Sequence, residues 1–329
     1  MPEIRGTGLD VRRLEGMVVL SVVVFAAGMA VAAVAAGGPG VWIHLSRLNL
    51  PLVAALLGLS LLNYVLRAVR WQIYGNHLGV PVPFPRTALY FTAGFALTTT
   101  PGKVGEALRL WLMERCHGYR YARTMPLFIA DRVADLGAMG LLLMLSLASL
   151  SAGGWAGVWI AAAAAVVVSG MLLLGLRPRL ALGGIGAAYR AVGRWPRLFG
   201  RTRSALRGTA ELFAPRIMLV AMALTLAGWL AECTAFALIL EALGADIGFK
   251  AAVFVFTASM LAGALSFLPG GLGGTEAAML ALLAAHGVGL DLAIPATAVV
   301  RVTTLWFAVA LGFVALPPTL RLARRGAPA

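Results

Sequence analysis

Several ionisable side chains stand inside otherwise apolar stretches, and their spacing groups them. Arg67 and Arg70 are three apart and share a helix face, with Asn63 one turn earlier. Lys103, Glu106 and Arg109 also repeat at intervals of three. Asp131 and Asp135 are four apart, with Arg132 beside them, and Glu232 and Arg301 stand singly in long apolar runs. The planar donor fork of arginine matches phosphate or carboxylate. A carboxylate can balance an arginine, carry a proton or meet a cation. In hydrocarbon a charge costs at least ~2.5–3.5 kcal/mol, so groups placed there have a binding, pairing or relay role.

Two backbone signals accompany these charges. Residues 98–109 read Thr-Thr-Thr-Pro-Gly-Lys-Val-Gly-Glu-Ala-Leu-Arg, and residues 267–276 read Phe-Leu-Pro-Gly-Gly-Leu-Gly-Gly-Thr-Glu. Each is a Pro-Gly break between two short apolar runs. In lipid such a break is tolerated only inside protein or beside a water-filled cavity. Pro101, Gly102 and Gly105 form one tip, and Pro269, Gly270, Gly271, Gly273 and Gly274 form the other. Thr100 and Pro101 make a good helix start, as N-cap and first helical residue. Gly273, Gly274 and Thr275 can start a second half-helix, with Glu276 next. Helix N-termini present free N–H groups and partial positive charge, which suit a phosphate or carboxylate.

The elements that must position these groups follow from composition. Of 329 residues, 60% are hydrophobic and only 12% charged, against about 25% charged in a soluble domain. The chain therefore reads as an all-α polytopic membrane protein. About six full spans and two re-entrant helical hairpins are expected, the hairpins related as an inverted repeat. The spans fall at residues 17–36, 48–66, 125–150, 155–176, 217–240 and 292–316, each near the ~20 residues a bilayer requires. Residues 87–97 and 104–113 are the arms of the first hairpin, and 251–268 and 275–285 those of the second. The domain organisation is a tail at 1–16, one membrane domain at 17–320 and a tail at 321–329. The repeats cover about 48–150 and 217–316.

Residues 177–216 hold nine arginines and one acid. They read either as an amphipathic segment on an anionic leaflet or as an ordinary basic cytoplasmic loop. In both cases they face the cytoplasm. Counting spans from there puts both termini inside, in the cytoplasmic membrane of a bacterium or archaeon. The net charge of +14 is then a loop property and does not point to nucleic acid. The first hairpin enters from the cytoplasm and the second from outside, the layout of transporters with a mid-membrane site.

Several alternatives stay open at this level. Arg67 and Arg70 lie at a span end, so they serve a site or snorkel to the interface. Asp131 and Asp135 are a proton or cation site, or partners for an arginine elsewhere. Glu106 balances Arg109 or its own helix N-terminus. Signals for ordinary catalysis are weak: His44, His77, His117 and His286 have no nucleophile beside them. Cys116 and Cys233 lie in different segments, with no metal-ligand spacing. The glycines at 270–274 lack the Lys-Ser/Thr of a nucleotide loop, so no cofactor is expected.

Four segments occur in a familiar order: Arg67-Ala-Val-Arg-Trp71, Pro101-Gly-Lys-Val-Gly-Glu-Ala-Leu-Arg109, Asp131-Arg-Val-Ala-Asp135 and Pro269-Gly-Gly-Leu-Gly-Gly-Thr-Glu276. Over about residues 48–316 the chain resembles the membrane region of lysylphosphatidylglycerol synthases, a flippase-like integral membrane family. It departs from the usual pattern at Thr98–Thr100, where relatives often carry Asn, and at Asp131-Arg132, where they often carry Glu-Arg. The resemblance implies a lipid translocase without the soluble aminoacyl-transfer part.

The expected partner is an anionic phospholipid or lipid-linked glycan, with a lipid-modifying enzyme as a further partner. Arg67, Arg70, Arg109 and Arg301 would hold phosphate, with Lys103 and Thr275 in the same site. Glu106, Glu232 and Glu276 would meet a polar or cationic head group or pair with the arginines. Asp131 and Asp135 are the candidates for proton coupling. A membrane-embedded enzyme acting on a lipid phosphate, or a non-transporting scaffold, are the rival readings.

Overall fold

The computed structural model describes residues 48–99, 104–150, 211–266 and 268–325, with Val23, Gly208 and Thr209. The expected spans at 17–36 and 155–176, the tip residues Pro101, Gly102 and Lys103, and nearly all of the basic segment lie outside the described residues.

The described residues are helical, with no strand among them. Helix α1 is Leu50–His77, opened by Asn49, whose side chain accepts from the Leu52 N–H. Helix α2 is Phe84–Ala93 and tightens into a 3₁₀ turn at Gly94–Leu97. Helices α3, Val104–His117, and α4, Tyr121–Leu150, follow. The second set opens with α5, Pro215–Leu243, ended by Gly244 at φ +88°, a left-handed C-cap that favours glycine. Helix α6 is Phe249–Leu265, a 3₁₀ turn occupies Pro269–Gly271, and α7 is Gly274–Ala285. Helix α8, Leu290–Arg301, runs through a π turn at Val302–Trp306 into α9, Phe307–Arg325.

The two sets share one order: a long helix, a short helix, a break, a short helix and a closing long run. Three of the described stretches are long and apolar enough to cross a membrane, Leu50–His77, Pro215–Leu243 and Leu290–Arg324. Leu219, Leu265 and Val314 are exposed apolar side chains, as lipid-facing positions in such helices would be.

Two boundaries differ from the sequence expectation for a physical reason. Helix α1 does not stop near residue 66 but carries Arg67, Arg70 and Trp71 on to His77, about three more turns. Arg70 and Trp71 are buried, so neighbouring helices supply the partners that bulk water would otherwise provide. Helix α2 begins at Phe84, ahead of the expected Thr87, because Pro85 sits in its first turn, where a missing N–H costs nothing.

Helix α1 packs along α5, α6 packs on both α7 and α4, and α9 packs on α2 and its 3₁₀ turn. Small residues set the approach. A Cβ on Gly312 would lie 2.1 Å from Ala96 N, and one on Gly105 would lie 2.1 Å from the Gly94 carbonyl oxygen. Close backbone contact through small residues is how helices associate where lipid removes the hydrophobic drive. The core has two apolar clusters, one around Phe236, Ile239 and Phe256, the other around Trp71, Phe91 and Leu112.

Candidate functional site: a charged cavity between the two breaks

Helix α1 presents Ser60, Asn63, Tyr64, Arg67 and Arg70 at three- and four-residue intervals, and so on one side. Arg70 is fully buried. Its Nη1 donates to Thr225 Oγ1 at 2.6 Å and lies 2.9 Å from Asp135 Oδ1, while its Nη2 donates to Asp131 Oδ1. Arg67 Nη2 is 2.7 Å from Asp135 Oδ2. Arg132 Nη2 stands 3.4 Å from Asp131 and 3.5 Å from Asp135. Arg67 and Arg70 both turn onto these buried carboxylates. Asp131 and Asp135 are the arginine partners that the sequence left as one of two options. Among the described residues these three guanidiniums and two carboxylates form one buried network.

In the second set Arg301 occupies the end of α8. Its Nε donates to Glu276 Oε1 at 2.6 Å and its Nη2 to the Gly270 carbonyl at 2.9 Å. Glu276 Oε2 accepts from the Gly273 N–H at 2.7 Å. The start of α7, expected as an open anion cradle, is thus partly occupied by its own carboxylate, an N-terminal arrangement that favours acidic groups. The π turn begins just after Arg301. Such turns leave ladder carbonyls displaced and recur at functional positions. Here Tyr64 Oη donates to the Thr304 carbonyl at 2.5 Å, which ties α1 to this turn.

Glu232 belongs to neither arginine group. Asn63 Nδ2 donates to its Oε1 at 2.9 Å and Ser60 Oγ to its Oε2 at 3.2 Å, both across the α1–α5 contact. The approach is close because Gly228 packs on Asn63: a Cβ there would be 2.6 Å from Asn63 Oδ1. Arg109 stacks on aromatic faces, its Cζ 3.7 Å from the Phe91 ring centre and 5.4 Å from that of Phe95. A guanidinium so placed keeps its charge while its flat faces are desolvated.

These groups surround a cavity of about 560 Å³, a size typical of small-ligand sites. Arg67, Arg109, Arg132, Arg301 and Glu232 supply its charged wall, with Thr98, Thr275 and Thr304 as hydroxyl-bearing residues. Pro269, Gly270 and Gly271 from the second break and Gly94 and Gly105 from the first unit reach it. Phe95, Trp229, Phe256, Met260 and Leu305 give it apolar and aromatic surface. The site residues expected from sequence therefore divide. Arg70, Asp131, Asp135 and Glu276 do not line it; they pair with one another or with the wall residues Arg67, Arg132 and Arg301. Gly273 and Gly274 also do not line it; they form the start of α7. Pro101, Gly102, Lys103 and the Glu106 side chain lie outside the described residues. Tyr64 and Trp229 were not expected. Trp229 stands three residues before Glu232 and so on its face, a spacing visible in the sequence.

A family model described as the lysylphosphatidylglycerol synthase TM region matches residues 18–312. Among curated proteins the chain is similar to UPF0104 membrane proteins of Methanothermobacter thermautotrophicus. One is 26% identical over 258 residues, covering 74% of this chain and 77% of the relative. A second is 23% identical over 285 residues, covering 77% and 81%.

Proposed function

The chain belongs to the lysylphosphatidylglycerol synthase TM region family, and on that premise we propose that it is a transporter that moves an anionic lipid between leaflets. The substrate class is a phospholipid or a lipid-linked phosphate or glycan. The observation that carries this reading is the cavity of about 560 Å³, whose wall combines four guanidiniums with aromatic and aliphatic side chains. An amphiphile with an acidic head group needs both kinds of surface. Arg67, Arg109, Arg132 and Arg301 would meet the phosphate, and Met260, Leu268 and Leu305 the first carbons of the tail.

The two breaks act as re-entrant hairpins of an inverted repeat, entering from opposite leaflets and meeting at the cavity. The matching element order of the two described sets supports that arrangement. In this reading both termini are cytoplasmic, and the guanidiniums on the cavity wall draw the anion in.

The test is reconstitution of the full-length protein in phosphatidylcholine vesicles carrying a trace of head-group-intact, tail-labelled phosphatidylglycerol. Accelerated passage of the label between leaflets, relative to protein-free vesicles, is the expected result. Equal rates overturn the reading for this lipid class.

A further inference from the structure

Glu232 is the buried carboxylate that the arginine networks do not use. It is 2% exposed, it lines the cavity, and none of the ion pairs among the described residues includes it. Among the described residues its two oxygens accept from neutral donors, Asn63 Nδ2 and Ser60 Oγ. Both partners can reverse their roles. A hydroxyl donates or accepts, and an amide offers an oxygen as well as a nitrogen. Asn63 Oδ1 is itself buried, with no hydrogen-bond partner among the described residues. An ionised Glu232 is therefore served by the Asn63 N–H and the Ser60 O–H. A neutral Glu232 can donate its own O–H to Ser60 Oγ, or to Asn63 Oδ1 after the amide turns over.

Charged and titratable groups line the same cavity from three of the elements packed on α5, and Arg109 does so from α3. Helix α1 brings Tyr64 and Arg67, α4 brings Arg132 beside Asp131 and Asp135, and α8 brings Arg301. Cys233 adjoins Glu232 on α5 itself, and α6 presents the Phe256 ring. Tyr64 is committed to the Thr304 carbonyl, Arg67 to Asp135 and Arg301 to Glu276. By contrast, Asp131 and Asp135 are gripped by guanidiniums and leave no room for a proton without breaking a pair.

We propose that Glu232, with Asn63 and Ser60, forms a reversible proton-binding site that opens to the cavity. A proton from the aqueous phase binds a Glu232 carboxylate oxygen, and no other bond is made or broken. Each protonation raises the positive balance of the cavity wall by one unit, and each release lowers it.

The test is infrared difference spectroscopy of the full-length protein in phosphatidylcholine vesicles while the bath pH is cycled. Wild type is expected to show a carboxylic-acid C=O band that grows on acidification and reverts on return. Glu232→Gln should lose the band, Glu232→Asp should retain a shifted one, and Asn63→Leu should displace its midpoint. A wild type without a reversible band overturns the proposal, as does a band that survives Glu232→Gln. A band suppressed by sodium at constant pH overturns the proton assignment in favour of sodium. The measurement requires no lipid movement, so its failure leaves the transport reading standing, and the reverse also holds.

Discussion

The Arg301 guanidinium is fixed 2.6 Å from Glu276 by one nitrogen and 2.9 Å from the Gly270 carbonyl by another. One side chain on α8 thus holds both the backbone of the second break and the carboxylate that caps α7. Arginine suits this because its donors form a rigid fork. The same side chain also borders the cavity, so the wall that would meet a ligand is the strut that shapes the break.

Removing that strut should cost stability as well as binding. Arg301→Ala leaves Glu276 buried without its counter-charge, a loss of about 3–5 kcal/mol for a buried pair broken on one side. Thermal unfolding in detergent should show a clearly lowered midpoint. Arg301→Ala combined with Glu276→Gln should recover part of it, because the stranded charge is gone. A double variant no more stable than the single one would show that the pair does not act as a unit.

The Asp135 pair should behave differently from the Asp131 pair. Asp135 is shared by Arg67 and Arg70, and Arg67 lines the cavity. Asp135→Asn should release Arg67 toward the cavity and strengthen retention of phosphatidylglycerol by the purified protein, at a stability cost of a few kcal/mol. Asp131→Asn strips the fully buried Arg70 of its Asp131 contact and should lower stability with a smaller gain in lipid retention, because Asp131 lies 3.9 Å from Arg67 where Asp135 lies 2.7 Å away. Lipid mass spectrometry beside melting curves separates the two. Equal retention in both variants would place Arg67 out of reach of the ligand.

Much of this arrangement was legible in the sequence, and the exceptions have physical causes. Charges inside apolar runs marked Arg67, Arg109, Glu232 and Arg301, because hydrocarbon makes each of them expensive. The second break declared itself through Pro269 and Gly270, where a 3₁₀ turn stands between α6 and α7. Pairing was not legible, since it depends on which helices meet: Asp131 and Asp135 needed the α1–α4 contact to find their arginines. Arg67 and Arg70 stay open between a site and a snorkelling role in the sequence, because a long helix continuing past an apolar run leaves no mark in hydropathy. Tyr64 and Trp229 were missed because aromatic residues are ordinary in apolar helices. Only the hydrogen bond of Tyr64 to Thr304 and the position of Trp229 on the Glu232 face single them out.

Glycine packing at the second break gives a steric prediction with a built-in control. A Cβ on Gly263 would lie 1.9 Å from Thr275 Oγ1, whereas one on Gly58 meets nothing within 4 Å. Gly263→Ala should destabilise by about 1–3 kcal/mol through overpacking. Gly58→Ala should be neutral or stabilising by up to ~1 kcal/mol, from helix propensity alone. Adding Thr275→Ala to Gly263→Ala should recover part of the loss. Melting midpoints of the four proteins decide it, and a Gly263→Ala midpoint equal to wild type would show that α6 and α7 can part without cost.

The link between Tyr64 and Thr304 joins the two helix sets at the cavity, and its removal isolates one hydrogen bond. Tyr64→Phe keeps the ring, which packs 5.0 Å from Phe95 and 6.1 Å from Phe307 between centres. It removes only the hydroxyl that donates to the Thr304 carbonyl. The direct cost should be about 1 kcal/mol, the usual net value of one hydrogen bond, with more added if the carbonyl stays buried and unpaired. Because that carbonyl belongs to the π turn after Arg301, its release should let the turn relax toward regular helix and shift Arg301 relative to Gly270. Hydrogen exchange of amides 302–308 should rise in Tyr64→Phe while amides of α5 stay protected. Exchange that is unchanged in the turn would show that the π geometry is held by local packing and not by Tyr64.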